Sequence, residues 1–123
     1  MMKRCIIKTM NKQIFIDSSG FKALIDEKDD FYKKAVGIWE KLSHEENLEL
    51  ITSNYMVDEC LTLLRNRCGL NKAILLRKTL AEGLPSIKII RVKLEDEVMA
   101  WDWFVKDWSK LSFTDCVSFA MMK

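Results

Sequence analysis

Residues 14–20 read Ile14-Phe15-Ile16-Asp17-Ser18-Ser19-Gly20. Three large apolar residues run into a carboxylate and then into small residues. So short and apolar a run fits a buried strand better than a helix. The acid at its carboxyl end has two explanations. It caps the helix that follows, or it presents charge where open parallel sheets gather their ligands. The choice turns on what else the chain brings to that edge.

Working outward, residues 21–25 continue as a helical turn, and "DEKDD" at 26–30 is a charged loop. Phe31, Ala35, Ile38, Trp39 and Leu42 recur at helical spacing. "LELITS" at 48–53 is a second strand, and Ser53 or Asn54 caps the helix after it. That helix stops at Gly69, a C-terminal signal. Asn71 caps another, which ends at Gly83 before Pro85. "SIKIIRV" at 86–92 is a third strand. Leu94, Val98, Trp101, Val105 and Trp108 fall at i, i+4, i+7, i+11 and i+14, the stripe of an amphipathic helix. Residues 112–123 form a last helix. The order β-α-α-β-α-α-β-α-α predicts an α/β fold with a central parallel sheet and helices on both faces. No repeat or linker divides it. Residues 12–123 read as one domain and residues 1–11 as an N-terminal extension.

Composition excludes several classes. Hydrophobic residues are 49% and charged residues 31% of 123, the balance of a globular domain rather than a disordered chain. No apolar run is long enough to span a bilayer, and the basic start "MMKRCIIKTMNKQ" lacks the features of a signal peptide. Cys5, Cys60, Cys68 and Cys116 form no CxxC pair and His44 is the lone histidine, which argues against a zinc site. Scattered cysteines without a secretion signal predict a reducing cytoplasm. The net charge is only +2, yet residues 60–81 carry Arg65, Arg67, Lys72, Arg77 and Lys78 and no acid. Such a block is either a solvated helical face or a surface for phosphate or an acidic partner.

Three acids stand out. Asp17 ends the first strand. Glu59 lies in the helix after the second strand, on a polar face with Tyr55, Thr62 and Asn66, opposite Val57, Leu61 and Leu64. Asp115 follows Ser112 at capping-box spacing, and the helix dipole favours an acid there. Each has a structural explanation alone. Together they would converge at one sheet edge, and such oxygen ligands suit a hard cation, Mg²⁺ or Mn²⁺. Without a cation, their mutual repulsion would raise their proton affinity.

"IFIDSSG", "TSNYMVDECLTLLRNR" and "LSFTDCVSFAMM", in that order, resemble the PIN-domain family, most closely its VapC-type toxins. The resemblance covers residues 12–123, and "LS-x-x-D" is its most specific part. It implies a three-layer α/β/α fold and a metal-dependent endoribonuclease. Its acids carry over as Asp17, Glu59 and Asp115, both catalytic and metal-binding. Ser18 and Ser112 would orient the carboxylates or hold a metal-bound water. Arg65, Arg67, Arg77 and Lys78 become candidates for RNA contact. The resemblance also implies an antitoxin partner and a homodimer, for which Trp103 and Phe104, off the main stripe of their helix, offer aromatic surface, unless Trp103 is ordinary core or helix packing. It further implies a terminal strand with a fourth acid, which would lie beyond Lys123.

Two rival chemistries fail on the residues. A haloacid dehalogenase-type phosphotransferase needs a second aspartate two residues after the first, where this chain has Ser19. A P-loop is absent, since nothing matches GxxxxGK[ST]. The alternative that stays open is a non-catalytic PIN-like module that binds RNA or protein.

Overall fold

The computed structural model describes residues 12–83, 86–106 and 110–122. The N-terminal extension, Cys5, Pro85, Trp108 and Lys123 lie outside them. Three strands and six helices alternate as expected: β1 (Lys12–Phe15), α1 (Ser18–Ile25), α2 (Tyr32–Ser43), β2 (Leu48–Ser53), α3 (Asn54–Cys68), α4 (Leu70–Glu82), β3 (Ile87–Ile90), α5 (Leu94–Phe104) and α6 (Phe113–Met121). The sheet order is β1-β2-β3 and both pairings are parallel. Lys12 pairs with Leu48 and Phe15 with Ile51, while Leu50 pairs with Ile87 and Ser53 with Ile90.

One core packs α1, α3 and α4 against the sheet. Phe21, Leu64 and Leu76 are fully buried there beside Leu50 and Ile87. Each such side chain contributes about 1.5–3 kcal/mol by leaving water. Side chains alternate across a strand. Ile16 therefore joins this core, whereas Phe15 lines a cleft with Phe119 and Met122 at α6. Ala100 of α5 and Cys116 and Val117 of α6 form a second cluster, flanked by Tyr55, Val92 and Trp103. Two side-chain bonds attach the second cluster's elements to α3. Asn54 Oδ1 accepts from the Val92 N–H at 2.8 Å, and the Tyr55 hydroxyl donates to Glu97.

Several boundaries differ from the expectation. β1 stops at Phe15, two residues before Asp17, because α1 starts at once and occupies two turns rather than one. Ser53 caps α3, accepting from the Met56 N–H at 3.1 Å. Gly69 joins α3 directly to α4, which begins at Leu70 without Asn71 as its cap. Its φ of 101° is strained for any residue with a Cβ.

The largest difference is α5. The expected stripe does not face the core: Leu94 is 73% exposed, Val98 61%, Trp101 55% and Val105 54%. The helix instead buries Ala100 and lays Trp103 against Phe119, ring centroids 6.2 Å apart. Of the two residues off the stripe, Trp103 takes the packing role that its position left open beside an interface one, while Phe104 stays exposed with the stripe.

Candidate active site

The site begins with two buried hydroxyls at the end of β2. Thr52 Oγ1 donates to the Ile16 carbonyl at 2.8 Å, and the Ile16 N–H donates to the Ile51 carbonyl at 2.9 Å. Both bonds fix the peptide just before Asp17, beyond the last ladder pair of β1. Ser53 then launches α3 from the neighbouring strand end. Two helices thus leave the same edge side by side. Their far ends also meet, with Cys68 Sγ of α3 3.5 Å from Oδ2 of Asp26, the C-cap of α1.

Asp17 is the N-cap of α1. Its Oδ1 accepts from the Gly20 N–H and the Ser19 hydroxyl, both at 2.9 Å. Its other carboxylate oxygen has no partner among the described residues. The two explanations for this acid are therefore compatible: one oxygen caps the helix, and the other remains for a ligand. The residue that orients Asp17 is Ser19, not Ser18. Ser18 Oγ donates instead to Glu59 Oε2 at 2.8 Å, across the gap between α1 and α3.

Glu59 is half-buried rather than on a solvent face. It occupies the side of α3 that meets α1, next to fully buried Cys60. Cys60 reports both acids. Burial, then the charges of Glu59 and Asp17, push its thiol up to about 12. Its Sγ lies 3.8 Å from the Ser18 carbonyl.

Asp115 sits in the first turn of α6. Ser112 caps this helix by accepting from the Asp115 N–H at 3.1 Å. That bond places the Asp115 backbone and occupies the serine hydroxyl as a helix cap. Asp115 and Asp17 line one cleft of about 160 Å³, walled by Phe15, Met56, Phe119 and Met122. Asp17 also borders a more apolar groove of about 290 Å³ between β1, α1 and α2.

Among the described residues, neither Asp17, Glu59 nor Asp115 has an ion pair to a lysine or arginine. No three acidic, cysteine or histidine side chains there stand close enough to hold a metal ion between them. The arrangement is thus two carboxylates on one cleft and a third held beside it through Ser18.

The basic residues scatter. Arg65 and Arg67 lie in the last turn of α3, at its Cys68 end and away from Asp17. Lys78 is exposed on α4. Arg77 lines a concavity, which it shares with Arg91, a basic residue the sequence alone did not single out.

No protein-family model matches the chain. Among curated proteins, it is 31% identical over 111 residues to the 23S rRNA-specific endonuclease VapC20 of Mycobacterium tuberculosis, in both the CDC 1551 / Oshkosh and the ATCC 25618 / H37Rv strains. The match covers 89% of this chain and 80% of the relative. The crystal structure of that M. tuberculosis protein, described as a Sarcin-Ricin loop cleaving toxin, superposes with a TM-score of 0.75 at 28% identity. It covers 88% of this chain and 79% of that one. With the parallel sheet, the acids at its carboxyl edge and a relative this similar over most of its length, the chain belongs to the VapC-type family of PIN-domain toxin ribonucleases.

Proposed function

We propose that this protein hydrolyses RNA phosphodiester bonds with Mg²⁺ or Mn²⁺ at the cleft shared by Asp17 and Asp115. The observation that carries the reading is this cleft, with Glu59 tied beside it by Ser18 and, among the described residues, none of the three charges neutralised by a basic side chain. Carboxylates left unpaired near a polyanionic substrate serve no binding purpose without a cation. Asp17 and Asp115 would hold the ion, and Glu59 would hold one of its waters. When bound, such an ion lowers the pKa of water and stabilises charge on a phosphodiester under displacement.

The chain's own residues supply position and field. Asp17 keeps one oxygen toward the cleft because Gly20 and Ser19 fix the other. Glu59 keeps Oε1 available because Ser18 occupies Oε2. Apolar walls from Phe15, Met56 and Phe119 keep the local dielectric low, which strengthens each charge interaction in the cleft.

The protein would act as the toxin of a toxin–antitoxin pair in the cytoplasm, silenced by a separate antitoxin chain. Cys60, Cys68 and Cys116 are free thiols, in keeping with a reducing compartment. The exposed stripe of Leu94, Val98, Trp101 and Val105 is an apolar surface of the kind that marks a protein interface. We assign it to a second copy of this chain. The sarcin–ricin loop of 23S rRNA, the relative's target, is the first substrate to test. Cleavage of that loop or another RNA that stops with EDTA and returns with Mg²⁺ or Mn²⁺ supports the proposal. Cleavage indifferent to EDTA overturns it.

A further inference from the structure

Behind the carboxylate site lies a second concavity, of about 360 Å³, between α3, α4 and β3. Its floor is apolar, from Val57, Leu61, Leu80 and Ile89, and Arg77 and Arg91 also line it. Among the described residues neither arginine has an ion pair or a side-chain hydrogen bond, and no acid lines the groove. Both arginines are exposed, so their guanidinium groups are open to an anion at the rim of the apolar floor.

The groove is placed to serve the site already described. Val57 and Leu61 lie two residues either side of Glu59 on α3. At 3.6 residues per turn, two residues rotate roughly 200° around the helix, so they face away from the side that meets Ser18. Arg91 follows β3 directly, at the carboxyl edge where Asp17 also lies. The groove and the carboxylates are therefore separated by about one helix diameter, on the order of 10 Å.

We propose that this groove binds the RNA substrate away from the scissile bond. Arg77 and Arg91 would hold backbone phosphates, and a base would lie on the apolar floor. The chemistry fits a nucleotide: guanidinium forks match phosphate oxygens, and bases settle on apolar or planar surfaces. This rests on the ribonuclease reading above and adds to it a second contact point that sets substrate affinity. Arg77 and Arg91 are positioning residues in this account, not catalytic ones.

The test uses the full chain with a single-stranded or loop RNA, the sarcin–ricin loop first. Binding is measured on the Asp17→Asn background across a salt series, and cleavage on the wild-type background. Arg77→Ala/Arg91→Ala should weaken binding by at least about tenfold and reduce the slope of log K against log salt by about 1.4, two phosphates' worth for a single strand. In cleavage it should raise KM and leave kcat at saturating RNA unchanged. Lys33→Ala/Lys34→Ala, which removes two charges from the exposed first turn of α2, should change none of these. Circular dichroism establishes that each variant is folded, and Arg77→Lys/Arg91→Lys, which keeps the charge, should restore part of the affinity. Unchanged affinity and slope in the double alanine variant overturn the proposal. So does a loss confined to binding of a protein partner, which would assign the groove to an acidic polypeptide. Absence of cleavage by the wild type, with the arginine effect on binding intact, would instead count against the ribonuclease reading alone.

Discussion

Replacing Ser18 by alanine removes one oxygen and one hydrogen bond. Ser18 Oγ donates to Glu59 Oε2 at 2.8 Å, joining residues 41 apart in sequence. Alanine is the strongest helix former, so α1 keeps its first turn, and Asp17 keeps its cap through Ser19 and Gly20. A bond to a charged acceptor contributes about 1.5–3 kcal/mol when sheltered. Glu59 is only half-buried, so water replaces part of it, and the net loss of stability should be about 1 kcal/mol. That corresponds to a fall of a few degrees in Tm for a chain of this size. The effect on cleavage should be larger, about 10–100-fold in kcat/KM, the usual cost of losing the group that orients a metal-site carboxylate. The assay is RNA cleavage under single-turnover conditions beside a thermal melt. Ser18→Ala and Glu59→Gln disable one interaction, so their double variant should be about as impaired as the worse single one. Full activity in Ser18→Ala, or effects that simply add, would refute the claim that Glu59 acts from the position Ser18 gives it.

Three further outcomes follow from the geometry. Cys60 is fully buried and its thiol is pushed up to about 12. It should therefore stay unmodified when the native protein is treated with iodoacetamide at pH 8, and react once the chain is unfolded; mass spectrometry showing native labelling would contradict its placement. Val98→Asp puts a charge in the exposed stripe of α5 and should convert a dimer to a monomer in light scattering with little change in Tm; an unchanged oligomer would remove α5 from the interface. Lys22, 2.8 Å from Asp29, holds that carboxyl below its ordinary 3.8. A depressed folded value means the pair stabilises above the ordinary pKa and loses its effect as pH falls through the folded value. Asp29→Asn should therefore lower Tm at pH 7, and its deficit should shrink below about pH 4; a deficit equal at pH 7 and pH 3 would show that the ion pair is not its source.

The sheet was legible because its signals are local. "IFID", "LELITS" and "IKII" are short apolar runs, and the helices between them leave only parallel pairing. Gly69, and a cap at Ser53 or Asn54, were legible for the same reason, since caps and glycine stops act within one turn; the structure selects Ser53. Asp17, Glu59 and Asp115 could be assigned to one edge once the strand order was known. Their relations could not. Which serine meets which acid depends on the spacing of α1 and α3, and that is set by how core side chains such as Cys60 and Phe21 pack together across the two helices. Hence Ser18 reaches Glu59 while Ser19 serves Asp17. The face of α5 failed for a different reason. Periodicity finds an apolar stripe but does not say what covers it, and here the small residue Ala100 permits close approach to α6 while the large residues face outward. Arg91 escaped notice because charge was counted along the helices, whereas the groove it shares with Arg77 exists only after β3 is laid beside α3 and α4.

The central claim is that Asp17 carries charge for chemistry as well as oxygen for a cap. Asparagine separates the two, because it caps a helix as well as aspartate does yet has no charge to offer a cation. The decisive measurement is RNA cleavage by Asp17→Asn in Mg²⁺ or Mn²⁺, with Tm recorded on the same sample. The account predicts a Tm within about 0.5 kcal/mol of the wild type in stability terms and cleavage reduced to the level seen with EDTA. Cleavage at the wild-type rate by a variant that folds normally would contradict it.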